Sequence, residues 1–185
     1  MLRYGICAAM VLGCVVMLTS VQAGGAVKSG PQAGQEVPGP FHPLNVTGAS
    51  AGKKNCLYCA NGGNPVAVVF AREATPEVAT LLKQLDEATL KNAKIEMGSY
   101  AVFCNDKDGL DKQLTKLAAD QKLTKLILSI DNPAGPKGYE ISKDAEVTVV
   151  LYTNFEVKAN HSFRKGELTP ASITKVVADV AKIAK

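Results

Sequence analysis

The chain has 185 residues, with 21 lysine and arginine and 17 aspartate and glutamate side chains, and a formal net charge of +4. This mild excess is spread along the chain, so it does not support binding to nucleic acid, which needs a concentrated basic surface. The length suits one folded domain with a single hydrophobic core.

The first 23 residues are predicted to be a signal peptide. Arg3 supplies a positive charge, Ile6–Leu18 is apolar, and small residues before and at Ala23 form a cleavage site. The protein is therefore expected in the periplasm or outside the cell, with no stable membrane insertion after cleavage. Two alternatives use the same segment. The uncharged run Tyr4–Val27 is long enough for an uncleaved anchor, and Cys14 could carry a lipid, although apolar residues follow it instead of a polar tether.

Residues 24–40 are predicted to be a flexible linker. They include five glycines and three prolines, and such a composition cannot bury a core of its own. Residues 41–185 are then expected to form the folded domain.

Three of the five cysteines remain after the signal peptide is removed: Cys56, Cys59 and Cys104. An oxidising compartment then predicts one disulfide and one free thiol. Cys56 and Cys59 are expected to pair because a Cys-x-x-Cys turn can meet disulfide geometry. Cys104 ends an apolar run and is expected to be a buried, inert thiol.

The middle of the domain alternates strands with helices. Continuous apolar runs predict buried strands at Val66–Phe70, Ser99–Cys104 and Leu126–Ile130. Thr75, followed by proline, predicts the start of one helix, and Asp108 can cap the next. Short links between these elements indicate parallel strands joined by right-handed crossovers.

The end of the domain predicts an antiparallel hairpin and a last helix. Val147–Tyr152 is one strand, and apolar residues alternate with polar ones from Phe155 to Phe163, which predicts a strand with one buried face. His161 belongs to that face, where a lone histidine is more often a hydrogen-bonded core residue than a ligand. Thr169, also followed by proline, caps the final helix.

This order of elements resembles the thioredoxin fold. Val147–Val157 resembles the thioredoxin hairpin, and Phe41–Gly48 resembles the leading strand of exported TlpA-like and peroxiredoxin-like members. The resemblance covers residues 41–185 as architecture. It implies an α/β fold, namely a thioredoxin-like three-layer α/β/α sandwich with a central mixed sheet.

The usual active-site residues of those families are missing. Thioredoxins carry Cys-x-x-Cys directly after the strand that matches Val66–Phe70, where this chain has Arg72 and Glu73. Peroxiredoxins place a cysteine in the first helical turn, and residues 75–80 contain none. Val147 occupies the position of the thioredoxin cis-proline, and valine forms a cis bond only at high cost. This edge of the sheet is therefore expected to have no redox activity, and Arg72 and Glu73 are expected to form a solvated ion pair.

The Cys56 and Cys59 pair, just before the first buried strand, is the main candidate site. Adjacent cysteines in an exported protein favour thiol–disulfide exchange. Cys56 is expected to attack and Cys59 to resolve, with Lys53 or Lys54 favouring the thiolate. A structural disulfide that pins a loop fits the same residues, although so short a loop contributes little stability in the chain-entropy model.

A metal site is the third interpretation of the pair. His42, His161 or Cys104 would have to complete the ligands. No cofactor is expected, since alanine follows Cys59 and the Cys-x-x-Cys-His haem signature is absent.

The favoured function is an exported thioredoxin-like protein that exchanges disulfides with a protein thiol or disulfide partner, with Cys56 and Cys59 as catalytic residues. The alternative is a non-catalytic thioredoxin-like binding module in which the pair is structural or binds metal. No oligomeric state is predicted.

Overall fold

The protein is described by a computed structural model over residues 26–185, so the predicted signal peptide and cleavage site lie outside the described residues. Short 3-10 turns follow the first long helix and the last one. In chain order the strands and helices are β1 (Leu44–Asn45), α1 (Leu57–Asn61), β2 (Val66–Ala71), α2 (Pro76–Lys91), β3 (Gly98–Cys104), α3 (Leu110–Asp120), β4 (Ile127–Asp131), β5 (Val147–Thr153), β6 (Glu156–Phe163) and α4 (Pro170–Asp179).

The six strands form one mixed sheet in the order β1-β4-β3-β2-β5-β6. β2, β3 and β4 are parallel, as their short links predict. β5 and β6 form the predicted antiparallel hairpin, and β5 also pairs antiparallel with β2. The predicted α/β fold with a central mixed sheet is confirmed.

Helices α2, α3 and α4 cover one face of the sheet. Each contributes a fully buried apolar stripe to a single core cluster, as Leu82, Leu114 and Val176 illustrate. α2 and α3 lie on one side because successive right-handed crossovers in one direction place their helices on the same face, and α4, which follows the hairpin, packs into the same core. Burial of these stripes, more than intrinsic helix propensity, stabilises the helices.

The helix starts depend on local capping. Thr75 accepts the backbone N–H of Val78 at 3.3 Å, and Thr169 caps α4 in the same way, as predicted. The prediction that Asp108 caps α3 is wrong. Gly109 occupies the N-cap position with φ +75°, and no side chain caps this helix.

The opposite face is covered by α1 and by two irregular segments, residues 26–43 and 132–146. Its core contains buried aromatic rings from the two irregular segments and from the sheet, together with Leu57 of α1. The rings of Phe41 and Tyr139 meet edge to face at 5.0 Å, and the Tyr139 hydroxyl donates to the Gly39 carbonyl at 2.7 Å. The third layer of the sandwich is thus made mostly of non-helical chain.

Residues 26–40 pack against the domain, and the prediction of a flexible linker is wrong for them. The Gly34 N–H donates to the Val157 carbonyl at 2.8 Å, and the Val157 N–H donates to the Gln35 carbonyl at 2.9 Å, so this segment runs alongside β6. Ser29 is 1% exposed, and the Asn160 amide donates to its carbonyl at 2.8 Å. Backbone pairing with a strand needs little apolar surface. The glycine- and proline-rich composition of this segment therefore does not reveal that it packs against the domain.

The hairpin has a bulge that changes which side chains are buried. Leu151 pairs with Ala159 but Tyr152 pairs with Val157, so Lys158 is an extra residue. Val157 therefore joins the core under α1, whereas Ala159 joins the core under the long helices. The prediction of one continuous buried face is wrong, because a bulge shifts the alternation by one residue.

The other side of the sheet ends on a short loop beside β1. The Asn45 N–H donates to the Lys53 carbonyl at 3.0 Å, and the Asn55 N–H donates to the Pro43 carbonyl at 3.2 Å. Residues 53–55 thus run next to β1 and lead directly into Cys56.

Candidate functional site

Cys56 and Cys59 form a disulfide with an S–S distance of 2.00 Å, as predicted from their spacing. Cys56 is the N-cap residue of α1, and its Sγ accepts the backbone N–H of Cys59 at 3.0 Å. The remaining described cysteine, Cys104, is free and buried, also as predicted. Local geometry explains the pairing, because one helical turn brings the side chains of residues three apart onto the same side.

The two sulfur-bearing residues differ in their access to solvent. Cys56 is 7% exposed, whereas Cys59 is an exposed residue. Leu57 is 2% exposed and holds α1 against the core of this face. Lys53 and Lys54 are both exposed. As whole residues, Cys59 is therefore more accessible than Cys56.

The disulfide helix lies towards the amino end of β2. The chain leaving α1 meets the turn between β5 and β6, where the Asn154 N–H donates to the Gly63 carbonyl at 2.8 Å. The ring centroids of Tyr58 and Phe155 are 5.4 Å apart across the same junction. Val66, the first residue of β2, pairs with Tyr152 immediately before that turn.

The turn between β5 and β6 contains the feature that sequence reasoning missed. Asn154 and Phe155 both have positive φ, 49° and 63°. Phe155 is 39% exposed, although the sequence pattern predicted it at the start of a buried face. The sequence predicts a tight turn one residue earlier, at Thr153 and Asn154. The usual signal is Asn-Gly, so a phenylalanine at the second position is assigned to the following strand.

At the carboxyl end of β2, the side chain of Arg72 ties the strand to a neighbouring loop. The Arg72 guanidinium donates to three carbonyl oxygens of the loop that precedes β5: Pro133 at 2.6 Å, Ser142 at 3.0 Å and Ala145 at 3.1 Å. The predicted ion pair between Arg72 and Glu73 is wrong, because Glu73 instead lies 3.3 Å from Lys107. Arg72 has the structural role of holding the loop in place.

Two further features characterise this edge. β5 begins at Val147, and no peptide bond within residues 26–185 is cis. Cys104 ends β3 and is 3% exposed. Burial raises the pKa of its thiol to about 12, with Arg72 opposing the rise and Asp131 adding to it. The thiol is therefore neutral at ordinary pH and a poor nucleophile.

The candidate metal ligands are not brought together. His161 is partly buried and its ring lies 2.9 Å from Asp179 of α4, which confirms the predicted hydrogen-bonded histidine. His42 is exposed, and Cys104 is buried at the carboxyl end of β3. Over residues 26–185 no group of three or more His, Cys, Asp and Glu side chains could hold a metal ion.

The described part of the chain also contains no helix of the length and hydrophobicity that a membrane crossing requires.

No protein-family profile matches the sequence, and no curated protein matches it either. Solved structures do match. A Bacteroides thetaiotaomicron protein provisionally assigned as a protein disulfide isomerase superposes with a TM-score of 0.63 at 13% identity, over 85% of this chain and 94% of that one. Peroxidoxin BcpB from Mycobacterium tuberculosis gives a TM-score of 0.56 at 17% identity, over 84% of this chain and 97% of that one.

A third match is BsSco, a member of the Sco family of cytochrome c oxidase assembly proteins in which a disulfide switch was identified. Its TM-score is 0.53 at 16% identity, over 86% of this chain and 98% of that one. At such low identity these likenesses establish a shared fold over most of both chains.

Proposed function

Because this chain is a thioredoxin-like protein by fold, we propose that it carries out thiol–disulfide exchange through Cys56 and Cys59. The observation that supports this most directly is the disulfide itself. Cys59 is an exposed residue, and the Sγ of Cys56 accepts a backbone N–H hydrogen bond at the start of a helix. That arrangement suits a bond that opens at the accessible sulfur and releases a stabilised thiolate at the other.

The exchange reaction begins at Cys59. A partner thiolate attacks the Cys59 Sγ, the bond to Cys56 breaks, and Cys56 leaves with the electron pair as a thiolate. The backbone N–H of Cys59, 3.0 Å from this sulfur in the disulfide, stabilises the developing negative charge. A second thiolate of the partner then attacks the partner's sulfur atom in the mixed disulfide with Cys59. Cys59 is released and protonated, the partner gains a disulfide and the Cys56–Cys59 pair gains two electrons.

The exposure of the two residues favours the opposite order of attack from the one predicted from sequence. Cys56, expected to attack the partner, is the buried residue, and Cys59 is the exposed one. In the reverse reaction Cys59 attacks a partner disulfide and Cys56 resolves the mixed disulfide. The exposed Lys53 and Lys54 add positive charge close to the Cys56 thiolate along the chain.

Serine variants test this order. We expect Cys56→Ser to accumulate a mixed disulfide between Cys59 and a partner, because the resolving thiol is gone, at about ten times the level found for Cys59→Ser. Serine is a good N-cap residue, so Cys56→Ser keeps α1 intact. Non-reducing electrophoresis and mass spectrometry of variants incubated with an oxidised test peptide measure the adducts.

Cys104→Ser serves as the control and should behave as the unchanged protein. Adducts found mainly on Cys56 in the Cys59→Ser variant would contradict the proposed order. No adduct in either variant, together with no reaction of the unchanged protein with dithiothreitol, would contradict the exchange function.

A non-catalytic binding module with a structural disulfide is the second candidate. The burial of Cys56, and its place as the N-cap of a helix of only five residues, favour it. In that case both serine variants should lower the melting temperature equally and trap nothing.

We also propose that residues 1–23 direct export, on the sequence pattern alone, which would put the pair in an oxidising compartment. Intact-mass measurement of the protein from its natural compartment should find a chain that starts at Gly24. A chain that retains Met1, or a lipid on Cys14, would contradict this.

A further inference from the structure

Phe155 is exposed beside the disulfide helix. Within residues 26–185 the large hydrophobic side chains classed as exposed are Leu90, Ile95 and Phe155, at 43%, 37% and 39%. Of these, only Phe155 is aromatic, and its ring lies 5.4 Å from that of Tyr58. Tyr58 is partly buried and stands directly before the exposed Cys59.

The backbone at Phe155 is unfavourable for its side chain. A φ of +63° is uncommon for residues other than glycine, and for a bulky residue it is an outlier. Glycine would satisfy the turn without strain. The presence of phenylalanine here therefore needs an explanation other than turn formation, and its exposure means that burial in the core is not that explanation.

The turn holds the ring in a fixed place. The Asn154 N–H donates to Gly63 on the α1 side at 2.8 Å, and the Phe155 carbonyl accepts the Val37 N–H on the other side at 2.8 Å. These backbone hydrogen bonds of Asn154 and Phe155 fix the turn on both sides, and the Phe155 ring already lies against Tyr58 before any partner arrives. Such preorganisation reduces the entropy lost on binding.

We propose that Tyr58 and Phe155 form a docking surface for an extended polypeptide that carries an aromatic or large apolar side chain next to its reactive cysteine. This inference rests on the proposed exchange function. Tyr58 directly precedes Cys59 in α1, so residues next to the reactive cysteine of a partner bound at Cys59 come within reach of this surface. Aromatic pairs gain from specific ring contacts in addition to burial of apolar area, so the surface favours such neighbours.

The absence of tryptophan from this chain permits a selective assay. Two cysteine peptides in the thiol form, one with tryptophan and one with alanine beside the cysteine, are compared with dithiothreitol as reductants of the Cys56–Cys59 disulfide. We expect the unchanged protein to react about ten times faster with the tryptophan peptide than with the alanine peptide. Phe155→Gly should lose this preference and keep its rate with dithiothreitol. Leu90→Ala, which removes an exposed side chain elsewhere, is the matched control and should keep the preference.

A binding measurement separates this inference from the exchange function. A tryptophan peptide with serine in place of cysteine cannot react, and its fluorescence anisotropy reports docking alone. About tenfold weaker binding to Phe155→Gly than to the Leu90→Ala control supports the docking surface even if the disulfide is inert. Equal binding to both overturns it. Equal slowing of Phe155→Gly towards both peptides and dithiothreitol also overturns it, because the side chain would then position α1 and not the partner.

Discussion

His161 is a residue at which burial and a charged partner act in opposite directions. Its side chain is 12% exposed, and its Nε2 lies 2.9 Å from the Asp179 carboxylate. Burial lowers the pKa of the ring below its ordinary value of 6.5, Asp179 opposes this, and Lys175 and Lys182 add to the lowering. Burial also acts to raise the pKa of Asp179, but Lys182 and His161 outweigh it and keep that pKa low.

This balance predicts a loss of stability in mild acid. The unfolded chain binds the His161 proton more tightly than the folded chain, so the free energy of unfolding should fall as pH drops through about 6.5. Each pKa unit of lowering corresponds to about 1.4 kcal/mol. Urea unfolding at about pH 7.5 and about pH 5.5 measures the effect.

The change should be smaller in His161→Gln than in the unchanged protein, while His42→Gln, at an exposed site, should leave it unaltered. Asp179 remains ionised over this range and does not contribute. An equal loss of stability in all three proteins would place the pH dependence elsewhere.

At the scale of elements, the sequence predicted what local interactions determine. The starts of α2 and α4 followed from Thr75 and Thr169, whose caps involve residues only three positions away. The bulge at Lys158 depends on how β6 pairs with β5, and no pattern within β6 alone reveals it. The packing of residues 26–40 likewise depends on partners more than a hundred residues away, such as Asn160.

That packing leads to a prediction for Asn160. Its side-chain amide donates to the carbonyls of Ser29 and Pro31, both at 2.8 Å. Asn160→Ala should lower the free energy of unfolding by about 1–3 kcal/mol, since it leaves these acceptors short of donors. It should also speed tryptic cleavage after the exposed Lys28.

The matched control on the same strand is Lys158→Ala. It removes only a partly exposed ion pair with Glu156 and should change stability by less than about 1 kcal/mol. If urea unfolding gave the same value for both variants, the side chain of Asn160 would not hold the segment.

At the scale of the whole molecule, Arg72 and the disulfide lie towards opposite ends of β2. The displacement of the cysteines was evident from sequence, because Cys56 and Cys59 precede the strand. Which of the two cysteines is the exposed residue was not, since it depends on how Leu57 packs α1 on the sheet. The aromatic pair was also hidden, because Tyr58 and Phe155 lie far apart in sequence and meet only through the register of the hairpin.

The chain segments that flank the sheet also bear on how copies of this protein would associate. Residues 34–37 satisfy backbone groups on the outer side of β6, and residues 53–55 do the same beside β1. An unpaired edge strand is a template on which a second chain can add a strand, and it is a common starting point for aggregation. Within residues 26–185 the backbone of β1 and the start of β6 are paired in this way. At those positions a second chain would have to displace an existing hydrogen-bonded segment before it could add a strand.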